Sequence, residues 1–223
     1  MPYYPIFLDL QGQKIIVVGG GSVAERKIEM LLEFGGTVSV IARSLTPAVN
    51  RYVSEGSVIF LEEEFSEGHL EGALLVIAAT DDPALNRRVS ACARERGILV
   101  NVVDKPSDCS FIVPSIVKRG DLVIAISTSG KSPALAKKVR EGIEKDFGPE
   151  YESFLVLMGN LRGLILSQGL PHDQNRNIFR ELVDSRLLDT IREKDWSGAA
   201  SILNRVLNTR FSSSEVMNYL QVC

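Results

Sequence analysis

The chain has 223 residues, with 25 Lys and Arg against 28 Asp and Glu, and 45% of it is hydrophobic, so it can build one large core or two small ones and is not a disordered polymer. A formal charge of −3 excludes bulk attraction to nucleic acid or to an anionic membrane; an anionic ligand has to be held by a local cluster. The opening Met1-Pro2-Tyr3-Tyr4-Pro5 has no basic segment leading into an apolar run, and no stretch approaches the roughly 20 apolar residues that span a bilayer, so a cytoplasmic protein with no nucleic-acid or membrane partner is expected.

From residue 14 to 103, short β-rich runs alternate with helical stretches. The runs fall at 15–18, 38–41, 58–61, 74–77 and 98–103. Continuous apolar runs predict strands buried on both faces, which means parallel strands joined by crossovers. Ala24, Ile28, Leu31 and Leu32 recur at helical spacing and Gly35-Gly36 ends that helix; a second helix is predicted over 83–96. Beyond residue 103, two runs at 110–117 and 122–126 flank Lys118-Arg119-Gly120-Asp121, which predicts an antiparallel pair with a four-residue turn. Ser132-Pro133 reads as cap and first position of a helix reaching about residue 147, before Gly148-Pro149. The remainder is helical in pattern: Phe154, Leu157, Met158, Leu161, Leu164 and Ile165 recur at nearly helical spacing, and further helices are predicted over 176–191, 196–207 and 213–220. Cys92, Cys109 and Cys223 are odd in number and widely spaced, without C-x-x-C, and are expected to be thiols.

The first run leads into Gly19-Gly20-Gly21-Ser22-Val23-Ala24 and then a helix. In a G-x-G-x-x-A loop of this context Gly19 permits the tight turn, Gly21 lets backbone approach a pyrophosphate at the helix N-terminus, and Ala24 allows close helix packing. Dinucleotide binding follows, and Ser22 and Val23 are candidate contacts. The acid that usually ends the second strand is missing; the chain reads Ala42-Arg43-Ser44. Arg43 with Ser44 fits a 2′-phosphate, Arg43 alone fits stacking on adenine, and a solvated surface arginine fits equally well.

The fourth run ends in Ala78-Ala79-Thr80-Asp81-Asp82 and the fifth in Asn101-Val102-Val103-Asp104-Lys105. Ligands of doubly wound sheets bind outside such strand ends, which makes Thr80 and Asn101 candidates for the coenzyme and Asp104 a candidate acid/base. Asp104 also fits a plain Asp turn before Lys-Pro, and Asp81 or Asp82 a helix cap. The loop Ser127-Thr128-Ser129-Gly130-Lys131-Ser132 is not a Walker A motif, because Ala125 stands where glycine is required, yet its amides at a helix start suit carboxylates or phosphates. An ordinary capped helix with a solvated basic face explains the same residues. His69 and His172 stand alone, so no metal site is expected.

Several segments together resemble the precorrin-2 dehydrogenase/sirohydrochlorin ferrochelatase family of sirohaem biosynthesis: Pro5-Ile6-Phe7, residues 18–27, Ala78-Ala79-Thr80-Asp81-Asp82, Asn101-Val102-Val103-Asp104, Ser110-Phe111-Ile112-Val113-Pro114-Ser115, and 127–133. The resemblance is dense to about residue 146 and looser beyond. It implies NAD-dependent dehydrogenation of precorrin-2 to sirohydrochlorin, in some members followed by insertion of Fe²⁺ as a substrate. NAD without an acidic ribose ligand is implied, with NADP the minority alternative. It implies Asp104 as the catalytic residue, and Lys105, Thr128, Ser129, Gly130, Lys131 and Ser132 as contacts to the many-carboxylate ring; Thr128 stands where relatives often carry serine. A homodimer is also implied, built through the antiparallel element and the helix after it.

The expected architecture is therefore α/β: a Rossmann-like parallel-sheet domain (1–112), a small α+β dimerisation element (113–149) and an all-α C-terminal domain (150–223). A non-catalytic dinucleotide sensor and a Rossmann oxidoreductase for another small acid are the alternatives.

Overall fold

The computed structural model describes residues 3–220; Met1, Pro2 and Cys223, whose thiol was expected, lie outside the described residues. The five apolar runs form β1 (Lys14–Val18), β2 (Thr37–Ile41), β3 (Val58–Glu62), β4 (Leu75–Ala78) and β5 (Leu99–Val102), all parallel in the order β3-β2-β1-β4-β5. Strand order reverses between β1 and β4, and that is where a doubly wound sheet opens its crevice.

Alternate residues of β1 serve two cores. Ile15 and Val17 pack with Ala24, Ile28 and Leu31 of α1 (Ser22–Glu33), whereas Ile16 and Val18 pack with Val89, Cys92 and Ala93 of α3 (Pro83–Glu95). A strand covered on both faces has no polar side, which is why its sequence is uninterrupted Ile and Val. The same expectation fails for β3, where only Val58 is buried and Ile59 and Phe60 are 49% and 40% exposed. β3 is one edge of the sheet, where Val58 joins one core beside Val49 and Leu61 packs against the other without being fully covered.

Between β2 and β3 lies α2 (Pro47–Ser54), a helix absent from the sequence-based reading. Its start carries the same cap chemistry as Ser132-Pro133: the Thr46 hydroxyl accepts from the Val49 N–H at 3.2 Å and Pro47 takes the first helical position.

The chain divides into two compact units between Val113 and Pro114. In the second, β6 (Ser115–Arg119) and β7 (Leu122–Ile126) pair antiparallel. Arg119 pairs with Leu122, so the turn is the two residues Gly120-Asp121, not the four expected, with Gly120 at φ +56°. The strand also begins later than expected: residues 110–111 stay with the first unit, where the Ser110 N–H donates to the Val100 carbonyl at 2.8 Å and its hydroxyl accepts from the Val100 N–H at 2.7 Å.

Helix α4 (Pro133–Asp146) follows, and then α5 (Glu150–Ser167), α6 (His172–Asp184), α7 (Leu187–Glu193), α8 (Trp196–Leu207) and α9 (Ser213–Tyr219). Phe154, Leu157, Leu161 and Ile165 of α5 centre their core, with Leu182, Ile191, Leu203 and Val216. The single helix predicted over 176–191 is broken at Ser185, whose hydroxyl donates to the Leu182 carbonyl and accepts from the Leu187 N–H. Such side-chain bonds compete with the helical ladder, and the chain turns there. Among the described residues, no helix is long and apolar enough to cross a membrane.

Candidate functional site

The loop after β1 is shaped by contacts that only glycine permits. Gly19 has φ +123°, and a Cβ there would sit 2.3 Å from the Ala79 carbonyl oxygen at the end of β4. A Cβ on Gly20 would lie 2.1 Å from the Ser44 carbonyl oxygen beyond β2. Gly21 differs: it is exposed, its φ is −79°, and a Cβ would meet nothing within 4 Å. The first two glycines admit neighbouring backbone, and the third leaves space over the start of α1, where no side chain caps the helix. That space is a cradle a side chain would fill, and it fits a pyrophosphate held by helix-terminal N–H groups.

The cradle belongs to a cleft of about 630 Å³. Ser22 and Val23 line it below, Arg43 and Ser44 flank it beyond β2, and Thr80 and Asp104 stand on the β4 and β5 side. Thr80 is fixed by buried Asn86 of α3. Asp82 caps α3 by accepting from the Ala84 and Leu85 N–H groups at 2.8 and 3.2 Å, while Asp81 lines the cleft beside it.

Asp104 occupies the third position of a turn closed by the Lys105 N–H to the Val102 carbonyl, and its φ is +60°. A type II turn demands positive φ at that position, and Asp and Asn tolerate it best after glycine. The turn is braced from beneath by Cys109, whose Sγ accepts from the Val102 N–H at 3.1 Å and lies 3.3 Å from the carbonyl oxygens of Val102 and Lys105. Lys27 of α1 is half-buried near this thiol; burial and Arg26 push its ammonium below the usual lysine range, and Cys109 opposes them.

Asn101 is not on the cleft wall. Its amide donates to the Phe111 carbonyl at 3.1 Å, tying the following loop to β5. Lys105 is exposed next to Asp104 and also lies off the wall. The six loop residues 127–132 belong to the second unit. There Thr128 Oγ1 accepts from the Ser132 N–H at 3.2 Å and donates to the Ser132 carbonyl, the Ser129 N–H donates to Ser127 Oγ, and Ser132 caps α4 at the Leu135 N–H. Ser129 and Gly130 take positive φ, and Lys131 is exposed.

Residues 6–115 match the NAD(P)-binding family model, and residues 119–145 match the sirohaem biosynthesis protein central model. Siroheme synthase of Sodalis glossinidius (strain morsitans) is 38% identical over 208 residues, which is 93% of this chain and 44% of that protein. Siroheme synthase 1 of Serratia proteamaculans (strain 568) is 42% identical over 215 residues, 96% of this chain and 45% of that protein. The solved structure of "SirC, precorrin-2 dehydrogenase" superimposes with a TM-score of 0.74 at 26% identity, covering 93% of this chain and all of that one. The chain belongs to the sirohaem synthase/precorrin-2 dehydrogenase family. It spans less than half the length of the curated sirohaem synthases it matches.

Membership of this family makes the first unit an NAD(P)-binding domain and explains the glycine loop. Several residues that shape the site in this family member escaped sequence reasoning. Gly20 is read as a free position in G-x-G, yet backbone crowding from Ser44 requires it. Asn86 and Cys109 act on Thr80 and the Asp104 turn through side-chain bonds to backbone and hydroxyl groups, which no periodicity records. Glu63 and Glu64 join the cleft wall only because β3 lies beside β2.

Proposed function

We propose that the protein is an NAD-dependent precorrin-2 dehydrogenase that produces sirohydrochlorin, acts as a cytoplasmic homodimer, and uses Asp104 as its catalytic residue. The observation that carries this reading is the cleft at the β1/β4 reversal, which has an open glycine cradle at one end and a carboxylate in a preset turn on its wall. The coenzyme, when bound, supplies the hydride acceptor. Residues 19–23 hold its pyrophosphate through backbone N–H groups, Arg43 and Ser44 face its adenosine end, and Thr80 faces the β4 side.

Conversion of precorrin-2 to sirohydrochlorin removes one hydride and one proton. The Asp104 carboxylate takes the proton, which needs a base within hydrogen-bond reach of the ring carbon's departing hydrogen. Residues 128–132 and Lys105 receive substrate carboxylates through amides and the lysine ammonium groups. Residues 113–149 serve dimerisation and residues 150–223 form the helical domain. In the same site Asp104 accepts the pyrrole protons displaced when Fe²⁺ enters sirohydrochlorin as a second substrate.

Anaerobic absorbance with enzymatically generated precorrin-2 and NAD⁺ tests the dehydrogenase. Asp104→Asn suits the positive-φ turn, so it is expected to fold and bind coenzyme like the parent while turnover falls by at least about 100-fold. Unchanged turnover removes Asp104 from the mechanism. A rate of Fe²⁺ or Co²⁺ insertion into sirohydrochlorin equal to that without protein removes the chelatase activity.

A further inference from the structure

The glycine loop accounts for a pyrophosphate, but β2 brings no acid to the adenosine ribose: its exit reads Ala42-Arg43-Ser44. The neighbouring strand brings acids to the same place. Ile41 pairs with Glu62 across a register irregularity, and the Ala42 N–H donates to the Glu62 carbonyl at 3.1 Å. Glu63 and Glu64 therefore leave β3 beside Arg43 and Ser44, and all four residues line the cleft. Arg43 Nη2 donates to Glu64 Oε1 at 2.7 Å.

The two side chains of that pair are 78% and 74% exposed, so the pair adds little to stability. Its consequence is for recognition. A guanidinium engaged by a carboxylate is not available to a 2′-phosphate, and a second carboxylate beside it repels one. A ribose hydroxyl is a donor, and a carboxylate is the acceptor that suits it.

We propose that Glu64, with Glu63 beside it, determines coenzyme choice. Glu64 occupies Arg43, and the two carboxylates accept from the adenosine ribose hydroxyls and reject a 2′-phosphate, so the acid that other nucleotide-binding sheets place on β2 comes here from β3. This rests on the coenzyme role proposed above.

The test is calorimetric titration of the whole chain with NAD⁺ and NADP⁺ in the absence of substrate. The proteins are the parent, Glu64→Gln, Glu63→Gln/Glu64→Gln and Arg43→Ala/Glu64→Gln. The parent is expected to bind NAD⁺ at least about tenfold more tightly than NADP⁺, and Glu64→Gln to narrow that ratio by at least about threefold, the double glutamine variant further. Adding Arg43→Ala is expected to cancel the gain in NADP⁺ affinity, because the released guanidinium is what receives the phosphate. Equal affinities in the parent, or an unchanged ratio in both glutamine variants, overturns the proposal and leaves the coenzyme role standing. Failure of the parent to bind either coenzyme overturns both.

Discussion

Asn86 grips Thr80 at three points: its Oδ1 accepts from the Thr80 N–H at 3.2 Å and from the Thr80 hydroxyl at 2.7 Å, and its Nδ2 donates to the Thr80 carbonyl at 2.9 Å. Asn86 is 7% exposed, so the cleft wall at the end of β4 is held from inside α3. Asn86→Ala removes all three bonds to half-buried Thr80 and is expected to cost about 1–3 kcal/mol. Chemical denaturation measures that loss, and NAD⁺ titration of the folded variant is expected to show weaker binding.

The glycine loop separates folding from binding. Gly19→Ala drives a Cβ into the Ala79 carbonyl at a backbone conformation that alanine rarely adopts, so a loss of more than about 2 kcal/mol is expected. Gly21→Ala meets open space and changes only a helix N-cap, so stability is expected to change by no more than about 1 kcal/mol. The added methyl occupies the cradle, however, and the dissociation constant for NAD⁺ is expected to rise at least about tenfold. Parallel melting and titration curves check both halves.

Cys109 acts on the Asp104 turn without lining the cleft. Cys109→Ala removes the bonds to Val102 and Lys105, and kcat is expected to fall about tenfold with coenzyme affinity unchanged, because a carboxylate out of position by a fraction of an ångström is a poorer base. Cys109→Ser keeps a donor and acceptor at the same place and is expected to restore most of the rate. Equal rates for the alanine variant and the parent would show that the turn holds itself.

The helical unit is expected to be acid-sensitive through Glu150. Burial works to raise the pKa of this carboxyl, but its own backbone N–H and the Arg192 guanidinium, whose Nη2 and Nε lie 2.9 and 3.0 Å from Oε1, outweigh it and leave the pKa below the ordinary 4.5. A group whose folded-state pKa is depressed stabilises the fold above its unfolded value, and the contribution disappears as pH falls through the folded value. Glu150→Gln is therefore expected to lower Tm at neutral pH and to flatten the decline in Tm below about pH 4.5. Thermal melts across that range check the slope.

Much of this molecule was open to direct reading. The five strands, the helices after Gly21 and Asp82, the Ser132-Pro133 helix start and the boundary beyond Leu207 each depend on neighbours within one or two turns of chain. The elements missed or misjudged have mixed causes. Thr46-Pro47 carries a helix cap that is local to the chain, whereas the exposure of Ile59 and Phe60 is set by the place of β3 at the sheet edge. The break at Ser185 rests on one hydroxyl competing with the helix ladder, a choice that the apolar spacing on either side does not record.

The order of residues alone determined the parallel α/β class, the dinucleotide loop and the candidacy of Asp104, because hydrophobic period and glycine spacing are local properties of a chain. Tertiary structure decided the rest. Only the packed sheet sets Gly20 against the Ser44 carbonyl, seats Cys109 under the Asp104 turn, and carries Glu64 to Arg43 across two strands. The Gly20–Ser44 and Arg43–Glu64 relations join residues more than 20 apart in the chain, and strand order and register create them.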